Sequence, residues 1–340
     1  MAATELHETA RAIVADHKGI LAADESTGTM KKRLDSVGVE STEENRRFYR
    51  GLLFSAPGME EFIGGVILYD ETIRQAADDG TPFPELLAAK GVVPGIKVDT
   101  GAHDLAGFPG EKVTEGLDGL RGRLEAYRGL GARFAKWRAV ITIGPGIPTD
   151  ACIRANAHAL ARYAALCQEA GLVPIVEPEV LMDGDHTIEA CYEATARTLH
   201  AVYDELFSQD VDLRGTLLKP NMVISGQSCP EQAPAERIAE LTIDCFLRHV
   251  PAAVPGIVFL SGGQTELQAT ENLNAINRIG GPWPLSFSYG RALQASALKA
   301  WGGNAANAEA AQAAFVHRAR MNSLAVAGEW SAELEQPVAA

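Results

Sequence analysis

GTLLKPN, residues 215–221, sets an apolar run against a lysine and closes it at once with proline and asparagine. Leu217 and Leu218 read as a short buried strand. Lysine is seldom buried and proline cannot continue a sheet interior, so such a strand ends at Lys219. Either the chain leaves the core for solvent there, or the amine is placed to react. The same shape, a short apolar or β-branched run stopping at polar residues, recurs along the chain. The other seven runs are GILAADES (19–26), GGVILYDE (64–71), GIKVDT (95–100), RFAKWR (133–138), VPIVEPE (173–179), GIVFLSGG (256–263) and LSFSYGR (285–291). Spacings of roughly 30 to 45 residues suit a βα unit with modest insertions.

Helical patterns fill the gaps. TDACIRANAHALARYAALCQEAG opens on Thr149 as an N-cap and stops at Gly171, and similar apolar spacing follows each of the later strands. Eight alternations predict an α/β chain folded as a closed (β/α)8 TIM barrel rather than an open doubly wound sheet. Leu6, Ala10, Ile13 and Val14 fall at helical spacing and predict an N-terminal helical extension. From about residue 328 to 340 the chain is poor in apolar residues and contains Pro337, which predicts a short flexible C-terminal tail. No linker or repeat argues for a boundary, so residues 1–340 are expected to form a single domain.

Composition narrows the partners. The 340 residues are 46% apolar and carry 30 Lys+Arg against 44 Asp+Glu, a formal charge of -14. Bulk charge of this sign disfavours nucleic acid, so an anionic ligand would need a local basic cluster. Five cysteines without a CxxC pair fit reduced thiols better than a disulfide framework. No apolar h-region opens the chain and no apolar run approaches the roughly 18 residues of a membrane span, so a cytoplasmic protein without membrane contact is expected. His158, His186 and His200 show no metal-ligand spacing, and neither a metal nor another cofactor is expected. Asp183 and Asp185 in MDGDH read as a turn with an N-cap.

Barrel enzymes carry their chemistry at the C-terminal ends of strands. Those ends hold Asp24, Lys97, Lys136, Glu177, Glu179, Lys219, Ser261 and Arg291. Lys136 and Arg138 are two apart and share a face, as do Glu177 and Glu179 on the next strand. An ion-pair network closing the barrel top is one explanation, and chemistry is the other. A lysine amine reacts when neutral, and desolvation or nearby cations favour that form. Lys219, behind two leucines and near Lys136, has both conditions. It could form an iminium with a carbonyl substrate, with Glu177 or Glu179 donating the proton that expels water and Asp24 available as base. LSGGQ offers Ser261, Gly262 and Gly263 to an oxyanion, and SYGRAL places Ser288, Gly290 and Arg291 before a helix. Lys97, with Ser26 and Thr29 in DESTGT, could meet a second anion, although STGT is equally a helix cap.

Together GILAADESTGT, TEENRRFYR, GGVILYDET, GIKVD, FAKWR, VPIVEPE, GTLLKPNMV, FLSGGQ and FSYGRALQASALKAWGG resemble class I fructose-1,6-bisphosphate aldolase, over residues 5 to 326. The resemblance implies reversible cleavage of fructose 1,6-bisphosphate to dihydroxyacetone phosphate and glyceraldehyde 3-phosphate. It implies that Lys219 forms the Schiff base, that Glu179 and Glu177 are its acid/base carboxylates, and that Asp24 is the base at the C4 hydroxyl beside Lys136. It implies one phosphate at Ser261, Gly262, Ser288, Gly290 and Arg291. The other would lie at Ser26, Thr29 and Lys97, with Arg33 and Arg138 nearby. A homotetramer in glycolysis, gluconeogenesis or, in photosynthetic cells, the Calvin cycle is the corresponding expectation. The same chemistry on sedoheptulose 1,7-bisphosphate or fructose 1-phosphate, and a silent barrel scaffold, are the alternatives. Eukaryotic members of that family end in a tyrosine on a mobile tail; this tail reads AGEWSAELEQPVAA, and no tyrosine follows Tyr289.

Overall fold

In a computed structural model, which describes residues 3–335, eight parallel strands close into a barrel. They are β1 (Gly19–Ala22), β2 (Ile63–Leu68), β3 (Val93–Lys97), β6 (Phe134–Ile141), β7 (Val173–Val180), β8 (Leu217–Leu218), β9 (Ile257–Phe259) and β10 (Leu285–Tyr289). Around the barrel the order is β1-β10-β9-β8-β7-β6-β3-β2. The predicted runs and the barrel strands coincide. The remaining two strands, β4 (Gly101–Asp104) and β5 (Lys112–Glu115), form an antiparallel hairpin inserted after β3, which the sequence reading missed.

Helix α1 (Ala3–Ile13) precedes the barrel. After β1 come α2 (Thr27–Asp35) and α3 (Glu43–Phe54), after β2 come α4 (Asp70–Ile73) and α5 (Phe83–Ala89), and after β5 comes α6 (Leu120–Gly129). Single helices α7 (Asp150–Glu169), α8 (Ile188–Ser208), α9 (Ala235–His249) and α10 (Glu266–Ile279) follow β6 to β9, and α11 (Arg291–Trp301) and α12 (Ala308–Ala327) follow β10. Thr149 caps α7 through its hydroxyl, and Thr265 with Gln268 forms a full capping box on α10. At α8 the cap is Thr187, so Asp183 and Asp185 belong to the turn alone.

Two faces of each strand lead to two cores. On β6, Trp137 points outward and packs on Tyr163 of α7, whose hydroxyl donates to the carbonyls of Ala135 and Ile175 at 2.7 and 3.1 Å. Lys136 and Arg138, one residue to either side, therefore face the barrel axis. Leu6, Ala10, Ile13 and Val14 of the N-terminal extension pack with Phe134, Val173 and Leu217, which begin or nearly begin their strands. The extension thus closes the N-terminal end of the barrel and leaves the C-terminal end for the polar residues. Inside, Gly95 pairs with Phe134, and a Cβ on Gly95 would lie 2.2 Å from that ring, so the missing side chain makes room for it.

Of the tail expected from about residue 328, Ala332–Glu335 forms a single 3-10 turn and residues 336–340 lie outside the described residues. Trp330 is buried, its Nε1 donates to Glu335 at 2.8 Å, and Glu335 pairs with Arg318.

Candidate active site

Strand register sets the charges against one another. Lys97 lies beside Lys136, Arg138 beside Glu177, and Val140 beside Glu179. Lys219 follows the two-residue β8, its backbone N–H donating to Val176 at 2.8 Å before Pro220 ends the pairing. The side chains then meet in a chain of contacts. Lys219 Nζ is 3.1 Å from Glu177 Oε1, and Lys136 Nζ is 3.3 Å from the other oxygen of that carboxylate. Lys136 Nζ also sits 2.7 Å from Asp24 Oδ2. Lys136, Glu177 and Lys219 are all buried, as is Glu179, which pairs with the Arg138 guanidinium.

Burial alone would raise the Asp24 carboxyl, but Lys136, with Lys219 and Lys97, outweighs it and brings its pKa down from 3.8 to about 2. Burial alone would likewise discharge Lys136; Asp24, Glu177 and Asp99 prevail and hold it well above the usual lysine range. At neutral pH Lys136 is therefore a fixed cation between two carboxylates. A carboxylate touching a buried amine, as Glu177 touches Lys219, can take its proton and return it.

A cavity of about 1080 Å³ opens over this chain at the C-terminal ends of the strands. Every site residue expected from the sequence lines it: the five just described as catalytic candidates (Asp24, Lys136, Glu177, Glu179, Lys219) and the ten proposed around phosphates. Ser26 is the N-cap of α2, and its hydroxyl lies 3.2 Å from that of Thr29. Gly262 has a left-handed φ of 42°, a conformation suited to glycine in the tight Ser261–Gly263 turn. Ser288 Oγ is buried without a hydrogen-bond partner among the described residues. An orphaned hydroxyl at the wall of a cavity is a donor ready for a ligand oxygen. Arg33, grouped in the sequence with Ser26 and Thr29, lies against Gly290, where a Cβ would be 3.4 Å from its Nη2. Arg33 therefore stands with Gly290 and not only with the α2 residues beside which the sequence placed it.

The sequence reading missed several residues here. Asp99 is buried, 2.8 Å from Lys97 Nζ, and accepts the Arg138 backbone N–H at 3.2 Å. Its place two residues after Lys97, on the same face, was the available signal. Lys32 and Arg123 also line the cavity. Lys32 stands three residues after Thr29, on the adjoining turn of α2. Arg123 belongs to α6, beyond the unforeseen hairpin, and nothing local marks it. Gln227 and Met182 reach the rim from loops with no pattern of their own.

A barrel with a buried lysine at the end of its sixth strand, in contact with a carboxylate, and with cationic groups around the mouth can carry imine chemistry on an anionic carbonyl compound. The family model described as fructose-bisphosphate aldolase class-I matches residues 5–340. A probable fructose-bisphosphate aldolase class 1 of Xanthomonas campestris pv. campestris is 60% identical over 332 residues, covering 97% of this chain and 99% of its own. Fructose-bisphosphate aldolase C-B of Danio rerio is 54% identical over 329 residues, covering 96% and 91%. Among solved structures, fructose-bisphosphate aldolase from Plasmodium falciparum, crystallised with TRAP and a small-molecule inhibitor, superposes with a TM-score of 0.95 at 49% identity. That match covers 96% of this chain and 95% of the other. The chain belongs to the class-I fructose-bisphosphate aldolase family, whose members are lyases acting through a lysine Schiff base.

Proposed function

We propose that this chain splits and re-forms fructose 1,6-bisphosphate through an imine on Lys219. The observation that carries the assignment is the buried Lys219 amine 3.1 Å from Glu177, with Lys136 joining that carboxylate to Asp24. The neutral amine attacks the C2 carbonyl, and Glu177, the carboxylate in contact with it, returns a proton so that water departs. Glu179, held by Arg138, assists from the next inward position of β7. Asp24 takes the C4 hydroxyl proton, the C3–C4 bond breaks, and its electron pair enters the iminium as an enamine. Glyceraldehyde 3-phosphate leaves; protonation at C3 and hydrolysis then free dihydroxyacetone phosphate and Lys219.

A carboxylate held at about 2 is a weak base. The mechanism therefore requires the Lys136–Asp24 contact to loosen once substrate is bound. Ser261, Gly262, Ser288, Gly290 and Arg291, with Arg33 against Gly290, take one phosphate, and Ser26, Thr29 and Lys97, with Arg138, serve the other. The fit to anions rests on the orphaned Ser288 hydroxyl and on Arg291, which has no carboxylate partner among the described residues. A homotetramer in the cytoplasm completes the proposal; no helix among the described residues is long and apolar enough to cross a membrane.

Borohydride reduction in the presence of fructose 1,6-bisphosphate, followed by mass spectrometry, should place the trapped sugar carbon on Lys219. Lys219→Ala should abolish turnover and trapping while leaving phosphate binding intact. Cleavage at near-wild-type rate by that variant, or an adduct on another lysine, would refute the assignment.

A further inference from the structure

We propose that Glu25 is the positioning residue for the anion-binding end of the mouth, acting through Arg33; this rests on the proposal that the cavity binds a phosphorylated sugar. Glu25 follows Asp24, yet the two carboxylates serve opposite sides of the strand end. Asp24 reaches Lys136 at the barrel axis, whereas Glu25 turns toward the surrounding helices. Its side chain is only 5% exposed. Oε1 is ion-paired with Arg33 Nη1 of α2 at 2.7 Å and accepts a hydrogen bond from Gln294 Nε2 of α11 at 2.9 Å. The same Gln294 amide donates to the Ala22 carbonyl of β1 at 2.9 Å, and Arg50 of α3 donates to the Glu25 carbonyl at 2.7 Å. One residue thus joins β1, α2, α3 and α11 beneath the mouth.

What this arrangement accomplishes is read from the other end of Arg33. With Nη1 paired to Glu25, Nη2 is carried to Gly290, which lies in the chain between Ser288, whose buried hydroxyl has no hydrogen-bond partner among the described residues, and Arg291, the first residue of α11. Among the described residues Nη2 has no acceptor of its own. A free arginine loses considerable rotamer freedom on binding an anion, and a carboxylate clamp removes that cost in advance. The network is poorly built for stability. Glu25 Oε2 makes no hydrogen bond and lies 3.8 Å from Arg50, whose buried Nε and Nη1 have no hydrogen-bond partner among the described residues, although Nη1 is 3.6 Å from Glu71. Buried charges left partly unsatisfied destabilise a fold, so a binding role explains their retention better than stability does.

In the intact enzyme, Glu25→Gln should raise the KM for fructose 1,6-bisphosphate and the inhibition constant of inorganic phosphate about tenfold each, with kcat within about twofold. In an Arg33→Ala background the same substitution should add less than about twofold, since its effect passes through Arg33. Equal losses with and without Arg33 would make Glu25 a general prop of the fold. Wild-type constants for Glu25→Gln beside a weakened Arg33→Ala would mean that Arg33 orients itself. Either result overturns the proposal. Wild-type phosphate inhibition in Arg33→Ala would instead sink the phosphate assignment beneath it. Should Glu25→Gln fail to fold, Gln294→Met removes the amide that donates to Oε1 and should raise KM about threefold with kcat unchanged; an unchanged KM would overturn the proposal equally.

Discussion

Lys136 does more than any other side chain to keep Asp24 ionised. It is the foremost cation opposing the burial that would otherwise raise Asp24. Lys136→Met should therefore move the Asp24 titration upward from about 2, because burial stays and the chief opposing charge goes. Carboxyl NMR titration reads this directly, and an unmoved resonance would show that Lys136 is not the cause. Linkage gives the stability counterpart. A carboxyl depressed from 3.8 to about 2 on folding adds stability that is complete above 3.8 and lost as pH falls through about 2. Urea unfolding across that interval should lose about 2 kcal/mol in the wild type and visibly less in Lys136→Met. An identical pH slope in the two proteins would contradict the coupling.

At the scale of elements, what matters is how closely the strands can approach. Phe134 opens β6 with its ring inside the barrel, and Gly95 on β3 and Gly65 on β2 lie against that ring, with built Cβ atoms 2.2 and 3.1 Å away. Gly95→Ala forces either the ring or the strand to move, and overpacking of this kind costs about 1–3 kcal/mol. Denaturant unfolding should show a lower midpoint with an unchanged slope. Adding Phe134→Leu should recover part of the loss; a wild-type midpoint for Gly95→Ala alone would show that the lumen has slack. The glycines were visible in the sequence, but their partner ring was not, because Gly95 and Phe134 meet only through β3–β6 pairing across the inserted hairpin. That hairpin was illegible for a related reason. Apart from the buried Thr114, which is polar, its strand positions are exposed or half-exposed, so no apolar alternation marks them.

For the whole molecule, closure of the barrel is what turns scattered strand ends into one site. The outer surface bears on assembly as well. Phe207 at the end of α8 is 86% exposed and Leu247 of α9 is 58% exposed, both large apolar groups on adjoining helices. We expect sedimentation equilibrium to give about four times the 36.2 kDa chain mass, and Phe207→Asp to shift it downward. A wild-type monomer at micromolar concentration would overturn the homotetramer.

By itself the sequence determined the eight strands, the helix that closes the barrel's N-terminal end, and the residue types at each strand end. Those features depend on period, caps and strand-stopping residues, all of which are local. Lys219 was legible because Leu217, Leu218 and Pro220 bracket it within a few residues. Only the tertiary structure decided which carboxylate meets which cationic side chain. It put Glu177 on both Lys219 and Lys136, Asp99 on Lys97, and Glu25 on Arg33. Those pairings depend on strand register and on which residues face the barrel axis. A shift of one residue would turn each side chain to the opposite face, and no local pattern records that choice.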